Sequence, residues 1–262
     1  MVADLPTCRG ARGLCVAGLL PLLLGCTQPQ TVGAAVASGE APWDGEVQRW
    51  GTLREVLRLG KTEARVDLSA AVRRAHAYGI GALAGVEGEV LVHDGAVWVS
   101  RVDAGALRTR RLSQPGAEQA TLLALAHVPA WTAITVERAV GTDELGAWVA
   151  AEARRVGLDP ERPFPLLVEG ELTGLAMHVL NGACPFAEEL PPDSPRAPAR
   201  RAADRARGLL VGFYSQEEPG LLTHHGSLTH LHALLEGAEP LMGHVDAVGL
   251  APGAVVRLPV GR

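Results

Sequence analysis

Residues 229–248 read THLHALLEGAEPLMGHVDAV. Two runs with apolar residues at alternate positions flank Glu236–Pro240, and Leu235 and Leu241 are placed to close a turn over those five residues. The pattern predicts a β-hairpin symmetric about residue 238. Side chains alternate faces along a strand, so His230 and His232 share one face. The symmetric register sets His232 opposite His244 and His230 opposite Asp246. Directly opposed side chains of an antiparallel pair lie about 5 Å apart at Cβ. One hairpin face then carries three imidazoles and a carboxylate.

Five of the chain's nine histidines fall between His224 and His244. A lone histidine on a strand is more often a core or surface residue than a ligand. An HxH pair with a third histidine in register on the returning strand is a stronger signal. Imidazole is the commonest metal ligand, and three histidines with an open position form a catalytic zinc pattern. His230, His232 and His244 are therefore the candidate metal ligands. His224 and His225 suit a loop over the site, with His225 and Asp246 as candidate additional groups.

The rest of the chain alternates strand and helix signals. Around residues 47–78, EVQRWGTLREVLRLG and DLSAAVRRAHAYG read as two short helices, the second capped by Asp67. EVLVH, the Asp94-Gly95 turn and AVWVS spell a hairpin. Residues 119–139 read as more strand, and TDELGAWVAAEARRVGL as a helix from Thr142, stopped by Gly157 and Pro160. FPLLVEG and LTGLAMHVLNG look like a hairpin pair around Gly170, and residues 191–207 like an exposed loop leading into a short polar helix. GLLVGFYS and AVVRLPV are strands, and no repeat of solenoid period is present. The class expected is α+β, β-rich, with mixed and antiparallel sheets and inserted helices.

A hydrophobic content of 47% is enough to bury a core, and a net charge of −5 with 4% aromatic residues argues against nucleic-acid binding. Arg9 and Arg12 precede GLCVAGLLPLLLGC, an apolar run too short for a membrane span. It resembles a bacterial lipoprotein signal over residues 1–26, with Cys26 as the lipidated residue and a flexible tether over 27–45. Asp4 and Leu24 depart from the usual form of such a signal. An ordinary cleaved secretory signal and a misplaced start codon are the alternatives. On the lipoprotein reading the protein is exported, periplasmic or at the cell surface, and meets the membrane only through its lipid. Residues 46–262 form the remaining domain, with an N-terminal half 46–160 and a metal-bearing half 161–262. Cys8, Cys15 and Cys26 lie in the signal, so Cys184 has no partner for an internal disulfide and reads as a small buried apolar residue.

The order GFYS, THHGSLTHLHALL, GHVDAV resembles the acetolactate decarboxylase family, as does GIGALAGVEGEVLVHDG in the N-terminal half. The likeness spans roughly residues 50–258. It implies an acetolactate decarboxylase-like fold, with His230, His232 and His244 holding zinc, nickel, cobalt and iron being alternatives. It implies a carbon–carbon lyase acting on a small 2-hydroxy-3-oxo acid (2-acetolactate to acetoin and CO2), with a homodimer as the default assembly. It also makes Glu89 an acid/base residue; on the residues alone Glu89 is an exposed hairpin carboxylate. Three departures stand out. His178 occupies the position of a family arginine, Ala82-Leu83 replaces a Thr-Phe, and a further family glutamate beyond the Gly-His-Val strand has no counterpart in the eighteen residues after His244. His178 becomes the second candidate catalytic residue. Another metalloenzyme acting on a hydroxy-carbonyl substrate, or a non-catalytic metal- or ligand-binding lipoprotein, fits the same residues.

Overall fold

The computed structural model describes residues 41–261 except 115, 117, 184–189, 192, 193 and 218. Cys26, most of the expected tether and Cys184 lie outside the described residues. Within the first half the strands are β1 (Gln48–Trp50), β2 (Val66–Asp67), β3 (Ala77–Leu83), β4 (Glu89–His93), β5 (Ala96–Asp103), β6 (Ala106–Arg111) and β7 (Gln119–His127). Two short helices interrupt them, α1 (Leu53–Leu59) and α2 (Leu68–Ala71). These strands make one sheet in the order β1-β7-β3-β4-β5-β6, with β2 also on β7.

The second sheet holds β8 (Trp131–Thr135), β9 (Phe164–Val179), β10 (Ala199–Tyr214), β11 (Thr229–Leu235), β12 (Leu241–Leu250) and β13 (Val255–Pro259), with helix α3 (Thr142–Arg155) between β8 and β9. Its order is β10-β11-β12-β9-β13-β8, and β10 also pairs with β9, so β9, β10, β11 and β12 close into a ring. Every ladder among the described strands is antiparallel. The change of sheet falls between His127 and Trp131, since β8 already pairs with β13.

The core explains why β4 is apolar at successive positions. Leu91 faces the second sheet in a cluster with Ile80, Leu166 and Leu210, while Val90 and Val92 face a separate cluster closed by Leu68 of α2. A strand buried on both faces loses the polar half of its alternation. Glu89 is two residues from Leu91 and so looks toward the second sheet. Helix α3 lays Leu145, Val149, Ala150 and Ala153 on the shared core. Helix α1 is only seven residues long, yet Thr52 and Glu55 form a reciprocal capping box at its start, and Gly60 closes its end at φ 61°.

Three expectations change. The first predicted helix is the strand β1 followed by α1, and the second shrinks to α2, because its AHAYG end enters β3. The expected hairpin around Gly170 is instead the continuous sixteen-residue strand β9, paired along its length with β10. Gly170 has φ 138° and a Cβ there would meet Ala254 Cα at 2.9 Å, so it serves a close backbone approach within a strand. The polar helix expected near residue 200 is the first half of β10. Alanine and arginine favour a helix in isolation, but pairing with β9 overrides that preference.

Gly170→Val should lower unfolding stability by roughly 1–3 kcal/mol, from backbone strain together with the clash on Ala254. Urea denaturation measures it; an unchanged midpoint would mean that the strand does not bend against Ala254.

Candidate metal centre

The histidine hairpin forms in the expected register. Leu235 pairs with Leu241, and His232 lies directly opposite His244. The ladder stops there, so the expected pairing of His230 with Asp246 does not occur. Beyond His244 the strand β12 follows β9 instead, with His244 opposite His178 and a bulge between Val245 and Ala247. Asp246 is the extra residue of that bulge, which re-aims its side chain. Its Oδ1 lies 2.8 Å from Nδ1 of His178, and its Oδ2 lies 3.4 Å from Arg200. On its other side, β11 pairs with β10, setting His230 across from Phe213 and His232 across from Val211. Gly212 lies between them; a Cβ there would run into the carbonyl of His230.

The ring thus gathers His178, His230, His232 and His244, each no more than 7% exposed, and Glu89 joins them from the first sheet at 2%. Ring centroids lie 4.8 Å apart for His178 and His244, 5.0 Å for His230 and His244, 5.4 Å for His232 and His244, and 5.6 Å for His230 and His232. His224 completes the group from the loop before β11, 5.5 Å from His230 and 5.1 Å from His244. Its neighbour His225 is exposed, with Nε2 3.1 Å from Arg58 Nη2 on α1. The candidate additional histidine is therefore His224 and not His225. Nothing in the HisHis pair itself distinguishes them; the turn of the loop decides which one points inward.

Hydrogen bonds orient these rings. Nδ1 of His230 donates to the carbonyl of Leu222 at 2.8 Å, which leaves Nε2 with its lone pair. His178 presents Nδ1 to Asp246, leaving Nε2 for the cluster. Nε2 of His232 stands 3.6 Å from Glu89 Oε2, and its Nδ1 is buried without a well-formed hydrogen bond, although the nearby Val90 backbone favours its protonation weakly. Glu89 Oε1 accepts the Leu180 N–H at 3.2 Å.

Burial sets the protonation states. Desolvation, then repulsion from neighbouring imidazoles, lowers His230 to about 3 and His224 to about 4, and holds His232 and His244 well below the usual histidine range. These rings are neutral at pH 7, as ligands must be. Burial raises Glu89 to about 7, against the opposing pull of His178 and of the Leu180 N–H.

The donor set fits a transition metal. Imidazoles bound to one tetrahedral ion through nitrogens at about 2.0–2.1 Å hold their ring centroids about 5 Å apart, as these do. Nitrogen donors select zinc, nickel, cobalt, copper or iron over calcium and magnesium. The candidate ligand atoms of His224, His230 and His244 all lie within 4.8 Å of one another, as do those of His178, His244 and Asp246. His232 is the candidate that leans instead toward Glu89. Between the rings and α1 is a cavity of about 30 Å3, walled by Leu53, Val56, Ala82, Leu122 and Leu180.

Solved structures share this architecture. The alpha-acetolactate decarboxylase of Bacillus subtilis strain 168 superposes with a TM-score of 0.63 at 16% identity, covering 81% of this chain and 85% of that one. A second acetolactate decarboxylase, from Bacillus subtilis subspecies spizizenii, gives 0.62 over the same shares, also at 16% identity. A Staphylococcus aureus protein of unknown function similar to alpha-acetolactate decarboxylase gives 0.60 at 19% identity, over 81% and 84%. The fold is that of the acetolactate decarboxylases. No protein-family model and no curated protein sequence matches the chain. His178, which the sequence pattern sets where an arginine is expected, lines the cavity, and among the described residues no arginine does.

The metal-free protein should lose stability as pH falls below about 6.5. Histidines whose folded pKa is depressed bind fewer protons than in the unfolded chain, and each contributes a slope of about 1.4 kcal/mol per pH unit between 6.5 and its folded value. Glu89, whose pKa is raised, acts the other way between 4.5 and about 7, but four histidines outweigh one carboxyl. Urea midpoints of chelator-treated protein between pH 7.5 and 5 measure this; a flat profile would contradict a buried neutral cluster.

Proposed function

We propose that this chain is a metal-dependent carbon–carbon lyase that decarboxylates a 2-hydroxy-3-oxo acid, with 2-acetolactate giving acetoin and CO2 as its reaction. The observation that carries the proposal is the buried set of neutral imidazoles facing a carboxyl group that keeps its proton near neutrality, on an acetolactate decarboxylase fold. His230, His232 and His244 are the ligands we assign, with zinc as the metal. A divalent ion there would act as a Lewis acid on the ketone and hydroxyl oxygens, where negative charge develops as CO2 departs.

The chain's own groups supply the rest. Glu89, with its pKa near 7, can both hold and release a proton at neutral pH, the condition for efficient acid/base work. It is our donor of the proton that replaces the lost carboxylate on carbon. His178 turns Nε2 inward because Asp246 holds Nδ1. That gives one directed hydrogen-bonding atom where an arginine would give a fixed bidentate fork, so carboxylate binding is weaker and less rigid. The leucine and valine side chains make the α1 side of the cavity apolar. At about 30 Å3 the cavity is far smaller than the roughly 300–1,000 Å3 of a typical small-molecule site. Substrate access therefore requires α1, which supplies Leu53, Val56 and Leu57, to move.

A second reading keeps the metal and drops this substrate. His178 in the arginine position and the small cavity favour either another hydroxy-carbonyl substrate or a metal-binding protein without catalysis. The N-terminal segment motivates export and anchoring through Cys26; among the described residues no helix is long and apolar enough to cross a membrane.

Purified protein loaded with zinc should form acetoin from 2-acetolactate and lose that activity to a chelator. Glu89→Gln should retain metal and lose about 100-fold or more in kcat. Folded, metal-loaded protein that yields no acetoin would favour the second reading. In a bacterial host, a palmitate label should enter the protein and be lost in Cys26→Ser; an unlabelled, released wild-type chain would remove the lipoprotein assignment.

A further inference from the structure

We infer that His224 supplies a further imidazole to the same metal, so that metal binding fastens the loop of residues 220–228 and, through it, α1. The inference rests on reading the cluster as a metal centre. His224 was not part of the sequence-derived ligand set, and its place is decided by the loop that carries it.

That loop is held from two sides. On the inner side, the Leu222 carbonyl accepts Nδ1–H of His230, so the residue two before His224 is tied to a ligand ring. On the outer side, the Gly220 carbonyl accepts the Arg54 N–H of α1 at 2.7 Å, and His225 meets Arg58 of the same helix. Within the loop, Gly220 N–H bonds the Thr223 carbonyl at 2.8 Å and Ser227 N–H the His224 carbonyl at 3.2 Å. Gly220 and Gly226 take φ of 90° and 80°, turning the chain before and after the two histidines. His225 is thereby left outside, while the half-buried His224 ring stands edge-on to His230 and His244. Its nitrogen lies within 4.8 Å of the ligand nitrogens of both.

The consequence is a centre richer in nitrogen than a three-histidine site and closed by a segment that also borders α1. A ligand on a loop can be released more readily than one on a strand in the ring. The loop ligand is thus the donor that can yield its position when the cavity opens beneath α1.

Cobalt(II) serves as the spectroscopic stand-in for the metal. In the full chain, His224→Ala should keep the fold, by circular dichroism and melting temperature of the metal-free form. It should alter the energy and intensity of the visible d–d bands, lower the imidazole count from X-ray absorption by one, and reduce cobalt affinity on the order of a hundredfold. His225→Ala should change none of these, and His230→Ala should abolish tight binding. In the wild type, cobalt should slow hydrogen exchange at the Arg54 amide, and His224→Ala should remove that protection. If His224→Ala matches the wild type in bands, imidazole count and affinity while His230→Ala loses the metal, the assignment of His224 is wrong and the metal centre stands. If the wild type binds no cobalt, the metal-centre reading itself fails and takes this inference with it.

Discussion

His244 has a histidine directly opposite it on each side, His232 on β11 and His178 on β9. This double pairing exists because β12 is hydrogen-bonded to both neighbours within the ring of β9, β10, β11 and β12. Side chains opposed across a ladder share a face and lie about 5 Å apart, so three imidazoles converge without any loop having to position them. His230 shares that face by alternation along β11. The backbone ladders, among the most rigid parts of a protein, therefore set the spacing of the cluster.

Gathering these groups away from water is unfavourable by itself. Desolvation keeps the histidines neutral, and a neutral ring still leaves a lone pair that needs a partner. Among the described residues the buried group includes one carboxyl, Glu89, and burial has pushed it toward its protonated form as well. A cation at the centre would answer both, since it would engage the lone pairs and favour the carboxylate. The surrounding core of Leu166, Leu210, Phe213 and Tyr214 offsets this cost.

The shared fold and the altered residues belong to different layers of the molecule. The two sheets are those of the acetolactate decarboxylase fold, at 16% identity to two such enzymes. At the cavity, His178 is backed by Asp246, itself reached by Arg200. Glu89 is brought to the cluster by burial between the sheets; on an isolated hairpin it is an ordinary surface carboxylate.

The sequence alone determined the hairpin. Five loop residues flanked by alternating apolar positions admit one symmetric register, so the opposition of His232 and His244 follows from local information. The β4–β5 hairpin and α3 were legible for the same reason, being specified by neighbours in the chain. The tertiary structure decided everything that rests on distant pairing. It made β9 one long strand through Gly170, drew an arginine- and alanine-rich segment into β10 against its helical preference, and moved Asp246 from His230 to His178 through a bulge. It also turned His224 inward and His225 outward. Periodicity reports which face a residue occupies, but not which strand will lie across from it or how a loop is folded down, because those choices are made by contacts between residues far apart in the chain.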